Sequence, residues 1–119
     1  MVTRSAFGRR PSVGGEMEKP VYVGILDLDV LLDHAESLKA KRAVIRPVLA
    51  RLRRLEVAVA EVGDPDRLRR AAIGVATVSA DTGQLHRVLD TCERQVADDP
   101  ELTLLSARRR VVGEHDEPE

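Results

Sequence analysis

Basic side chains dominate the residues whose type and spacing could do chemistry. Between Ser37 and Leu55 lie seven basic residues and no acidic one: Lys39, Lys41, Arg42, Arg46, Arg51, Arg53 and Arg54. On a helix, Lys39, Arg42, Arg46 and Arg53 fall within an arc of about 60°. Such a row tracks phosphates through charge, as binding to structured RNA requires. Arg67, Arg69 and Arg70 form a second basic cluster after a turn signal. These residues, together with Lys41, are the candidate phosphate contacts. Lys41 differs from the others because it points into the apolar arc, where it must snorkel or meet a carboxylate. Arginine outnumbers lysine 16 to 3 and Asn is absent. The competing reading is therefore a solvated helix face in an arginine-biased proteome.

Other chemistries find little support. The aromatics are Phe7 and Tyr22, 2% of the chain, with no Trp. Stacking of bases on a sheet face is thereby disfavoured, and any RNA contact falls to backbone and shape. A single cysteine, Cys92, forms no internal disulfide, and with three scattered His it makes no structural zinc site. Cys92 lies on an apolar helical arc and reads as a packing thiol. Asp27 and Asp29, followed by Asp33, His34 and Glu36, could hold a hard metal, as could Glu61, Asp64 and Asp66. Ordinary surface acids are the simpler account of both groups. His86 reads as a surface residue and His115 lies in the tail. No glycine-rich loop has phosphate-binding spacing. No catalytic residue, metal site, cofactor or small-molecule substrate is expected.

The elements that must position the basic row follow from periodicity. Val21 to Leu32 alternates, with Tyr22, Gly24, Leu26, Leu28 and Val30 on one face and Val23, Ile25, Asp27 and Asp29 on the other. That pattern predicts a strand. Ser37 offers an N-cap to a helix over 38–55, with Leu38, Val44, Ile45, Val48, Leu49, Leu52 and Leu55 inward. Pro47 predicts either a kink near residue 43 or an exposed side that tolerates it. Residues 56–63 and 71–80 read as strands around a turn at Gly63-Asp64-Pro65-Asp66. Asp81 or Thr82 caps a second helix to about Ala97, with Leu85, Val88, Leu89, Cys92 and Val96 inward. Residues 102–112 form the last strand.

The order strand, helix, strand, strand, helix, strand implies an α+β ferredoxin-like βαββαβ sandwich. Four antiparallel strands carry two helices on one face. The other face is left open, with Val23 and Ile25 beside Asp27 and Asp29 as candidate interface residues of a homodimer. The domain is expected over 20–113. Residues 1–19 read as a disordered extension with an alternative start at Met17, and 114–119 as an acidic disordered tail. The formal charge of −1 is a cancellation. The stretch from Asp81 to Pro100 holds five acids and two bases, against the acid-free first helix. No apolar run is long enough to span a membrane and no secretory signal is present, so a cytoplasmic protein is expected.

Three stretches carry a family likeness: Ser37-Leu-Lys-Ala-Lys-Arg42, Val57-Ala-Val-Ala-Glu-Val62 and Arg70-Ala-Ala-Ile-Gly-Val75. In this order and spacing the chain resembles the YlxP-like family of small bacterial proteins, over residues 21 to about 112. The resemblance implies a ferredoxin-like fold and supplies no catalytic residues. Genes of that family often lie beside those for translation initiation factor two and ribosome-binding factor A, which implies a link to ribosome assembly or translation. An aromatic followed by Asn is common before the second strand of the family, where Leu55-Glu56 stands here. The expected function is that of a non-enzymatic protein associated with ribosomal RNA or a ribosomal subunit through its basic helix. The alternative is a protein-interaction module that dimerises through the open sheet face.

Overall fold

The computed structural model describes residues 20–113; the expectations for 1–19 and 114–119 lie outside the described residues. Six elements follow in the expected order. They are β1 (Tyr22–Leu31), α1 (Leu38–Arg53), β2 (Ala58–Val62), β3 (Arg70–Ser79), α2 (Thr82–Ala97) and β4 (Thr103–Gly113). The strands form one antiparallel sheet in the order β2-β3-β1-β4. This is the ferredoxin-like α+β arrangement, with β2 and β4 as edges. No helix among the described residues is long and apolar enough to cross a membrane.

Strand alternation sets the layers. Leu26, Leu28 and Val30 of β1 and Ala71, Ile73 and Val75 of β3 turn to the helices and are buried. They meet Ile45, Val48 and Leu52 of α1 and Leu89, Cys92 and Val96 of α2. Burying each large aliphatic side chain stabilises the fold by about 1.5–3 kcal/mol. At Gly24 the α2 helix comes close to β1: a Cβ there would stand 2.8 Å from Leu89. A larger residue would force the Leu89 and Leu85 side chains to shift.

Local signals place the helix ends. The Ser37 hydroxyl accepts from the Ala40 N–H at 3.0 Å, capping α1, and the Asp81 carboxylate accepts from the Gly83 N–H at 3.1 Å, capping α2. Helix α1 runs unbroken through Pro47, whose ring lies on the exposed side. The helix stops two residues earlier than its apolar pattern suggests. Glu56 then takes a left-handed conformation, φ 63°, and turns the chain into β2. That conformation strains a residue with a Cβ and is better suited to Gly or Asn. Strand β2 is accordingly shorter than its alternation, beginning at Ala58.

A bulge interrupts the β1–β4 ladder between Asp29 and Val30. Asp29 faces Ser106 while Val30 faces Leu104, so Leu105 has no counterpart and stands exposed.

Candidate nucleic-acid interface

The exposed flank of α1 gathers part of the basic row. Lys39, Arg42 and Arg46 surround a shallow depression of about 460 Å³, together with Ala43 and Pro47. Arg53 continues the row at the end of the helix and is exposed. The side chains of Lys39, Arg42, Arg46 and Arg53 have no hydrogen-bond or ion-pair partner among the described residues. Arg51, on the other flank, reaches Asp99 at 2.6 Å and ties α1 to the segment after α2. Arg51 and Arg53 also sit in the last turn, where cations complement the helix dipole.

Lys41 does not belong to this surface. It is 1% exposed, and its ammonium donates to the carbonyl oxygens of Pro65 at 2.8 Å and Arg67 at 2.6 Å. Its third neighbour is the Glu61 carboxylate at 2.9 Å. The sequence requirement for a carboxylate is met, but no phosphate can reach this amine. Lys41 is corrected from a phosphate contact to the anchor of the β2–β3 loop. Glu61 does not join Asp64 and Asp66 in an acidic cluster; its alternation on β2 turns it inward, to the same side as Val59.

The second basic cluster divides. Arg70 opens β3 and pairs with Asp29 at 2.6 Å. Arg67 lines a polar hollow of about 420 Å³ on the open sheet side, with Asp27, Asp29, Asp64, Arg70, Ser106 and Arg108 among its walls. Arg69 is exposed in the loop, and its carbonyl accepts from the Leu32 N–H at 2.9 Å. Asp64 and Asp66 share this loop, so its charge is mixed. The structure therefore groups Lys39, Arg42, Arg46 and Arg53 and sets Arg67 and Arg70 around a different hollow.

The open sheet face has two halves. In one, Val23 stands between Val78 of β3 and Val112 of β4, with Ile25 beside Ala76 in the next row. Val78 is 64% exposed and Val112 40%. Alternation along β3 and β4 is the sequence signal for these two valines, and alternation along β1 alone does not reveal them. In the other half, Asp27 and Asp29 pair with Arg108 at 2.9 Å and Arg70 at 2.6 Å. These acids are thereby held by arginines. Among the described residues no three His, Cys, Asp or Glu side chains are placed to hold a metal ion. Cys92 is fully buried, and desolvation pushes its thiol above the usual range, with Arg109 pulling weakly against it. Arg109 itself bridges to Asp90 at 2.9 Å and Glu93 at 3.3 Å and lies 3.1 Å from the His86 ring.

Comparison with known proteins adds a family. The family described as "Protein of unknown function (DUF503)" matches residues 23–109. The uncharacterized protein YlxP of Bacillus subtilis (strain 168) is 32% identical over 68 residues, 56% of this chain and 74% of that one. A de novo designed protein, Foldit4, is similar at 15% identity over 82% of this chain and 99% of that one, with a TM-score of 0.44. That similarity is too low to add to the fold read from the strand order.

Proposed function

The chain belongs to the DUF503 family, and from there we propose that it binds structured RNA, as a non-enzymatic factor acting on ribosomal RNA or a ribosomal subunit in the cytoplasm. One observation carries this reading. Lys39, Arg42, Arg46 and Arg53 form a row of exposed cations without an acidic partner among the described residues, on a helix that has no acid anywhere along it. Arg53 complements the helix dipole, but Lys39, Arg42 and Arg46 lie outside the last turn, and a polyphosphate would pair with all four. The gene neighbourhood of YlxP-like proteins supports the ribosome as the place of action. Arg67 and Arg69 serve as a second, weaker contact, because Asp64 and Asp66 share their loop.

The test is co-sedimentation with ribosomal subunits at low and high salt. Association at low salt that fades as salt rises is expected, and its loss on Arg42→Glu/Arg46→Glu. Absence of association even at low salt overturns the reading.

A second reading, a homodimer through the open sheet face, is favoured by the row Val78–Val23–Val112 across three strands. Light scattering over a wide concentration range tests it. A dimer that Val78→Glu dissociates supports it, and a monomer throughout counts against it.

A further inference from the structure

The open face of the sheet is complementary to itself in one orientation. We infer that this face takes a second copy of the chain, related by a two-fold axis that runs parallel to the strands and passes between β1 and β3. The inference rests on the homodimer reading above and adds its geometry.

Strand pairing fixes what stands in each row of this face. In the order β2, β3, β1, β4, one row reads Ala60, Gly74, Asp27, Arg108 and the next reads Ala58, Ala76, Ile25, Arg110. Beyond them the apolar row Val78, Val23, Val112 crosses three strands. In the two four-strand rows the large and charged side chains belong to β1 and β4, and the β2–β3 side carries Ala and Gly. A two-fold interface sets one patch against itself, so each group must meet its complement on that same patch. Rotation about an axis along the strands lays β1 on the partner's β3 and β4 on the partner's β2. Asp27 then falls over the partner's Gly74 and Arg108 over the partner's Ala60, where there is room for them. Ile25 falls over the partner's Ala76, and Val23 covers the partner's Val78, which is 64% exposed in the single chain.

The other face-to-face two-fold runs across the strands and fails on charge. Centred between the same two rows, it lays each strand on its own copy. Arg110 then meets the partner's Arg108, and Ile25 meets the partner's Asp27. Like charges set opposite each other across an interface are destabilising. The strand-parallel axis opposes no like charges in these rows, and Arg108 keeps its pairing with Asp27 at 2.9 Å.

The area suffices for a second copy. Strands of 10, 5, 10 and 11 residues, at about 3.3 Å per residue and about 4.8 Å between strands, cover about 570 Å². Two such faces bury about 1,100 Å², against the roughly 1,000 Å² that a specific interface needs. Both helix layers stay outermost, because the helices pack on the opposite face of the sheet. The dimer therefore leaves the basic flank of α1 free on each copy.

Light scattering on the full chain reads whether a dimer forms, and substitutions of Ala60 read its orientation. Only the strand-parallel axis places this residue under the partner's Arg108. Ala60→Lys is expected to raise the dimer dissociation constant by about tenfold or more, and Ala60→Glu to leave it equal or lower it. Ala60 is exposed on β2, so neither change enters the core. A nitroxide on His34→Cys gives an independent distance by electron-spin resonance. His34 is exposed in the turn after β1, and the native Cys92 is fully buried. The two labels share one end of the strand-parallel dimer, within about 25 Å, but lie at opposite ends across the other axis, about 40 Å apart or more at the strand rise per residue. A dimer in which Lys and Glu act alike, or whose labels lie at opposite ends, overturns the inference and leaves the homodimer reading standing. A monomer over the whole concentration range overturns both.

Discussion

On the sheet, Arg70 and Arg108 project onto Asp29 and Asp27, and Arg109 onto Asp90 and Glu93. On α1, Arg42, Arg46 and Arg53 project onto nothing charged among the described residues. The residue type is the same and the surroundings differ. Asp27 stands directly across from Arg108 on the β1–β4 ladder, the cross-strand position at which opposite charges stabilise a sheet. On a helix the equivalent neighbours lie three and four residues away. Around Arg42 and Arg46 those neighbours are Leu38, Lys39, Ala43, Ile45, Leu49, Ala50, and each other. An arginine-biased proteome accounts for how many arginines there are. It does not account for acids being placed opposite one set and kept away from the other.

Four perturbations break or sharpen that contrast. The largest effect is expected from Arg42→Glu/Arg46→Glu, which removes two phosphate contacts and adds two repulsions. Subunit association at low salt should fall by about tenfold or more, with the thermal midpoint nearly unchanged. Arg70→Ala, by contrast, should leave association intact. Second comes Lys41→Met, at a cation of α1 that is held by a carboxylate as the sheet set is, like Arg51. It strands Glu61 against the core and should cost about 3 kcal/mol in denaturant unfolding, most of it restored by adding Glu61→Leu. Third, Glu56→Gly relieves the left-handed strain after α1 and should stabilise the chain by about 1 kcal/mol in the same measurement. The smallest change belongs to Arg109→Ala, about 0.5 kcal/mol for half-exposed partners. It also removes the cation that draws the Cys92 thiol down, so the thiol rises further. A folded thiol held above its unfolded value loses stability as pH rises, because the unfolded chain ionises first. Unfolding titrations above the ordinary thiol range, about 8.5, should show that decline slightly enlarged in the variant.

Much of the fold was legible because its core is built from unbroken alternation and helical spacing. β1 declared itself through Leu26, Leu28 and Val30, and both helices through inward stripes that the structure buries, Ile45, Val48 and Leu52 in one and Leu85, Leu89, Cys92 and Val96 in the other. The row of α1 was legible for the same reason: helical phase depends on near neighbours alone. Pairing across the chain was not. That Lys41 needed a carboxylate followed from its phase, but Glu61 and the carbonyls of Pro65 and Arg67 lie more than twenty residues away or nearly so, and only the packed β2–β3 loop delivers them. The separation of Arg67 and Arg70 from the helix row likewise depends on register. Glu56 was visible as a departure from the family's usual Asn, and its backbone conformation supplies the physical reason Asn suits that position.

The bulge opposite Asp29 and Val30 gives β4 a tolerance for changes in length. Leu104 faces Val30 on one side of it, and Ser106, Arg108 and Arg110 keep their phase with Asp29, Asp27 and Ile25 on the other. Leu105 belongs to neither count. Its deletion would close the ladder into regular pairing without turning Arg109 away from α2 or Arg108 away from Asp27. The strand can thus lose a residue there and still present every charge to the same side.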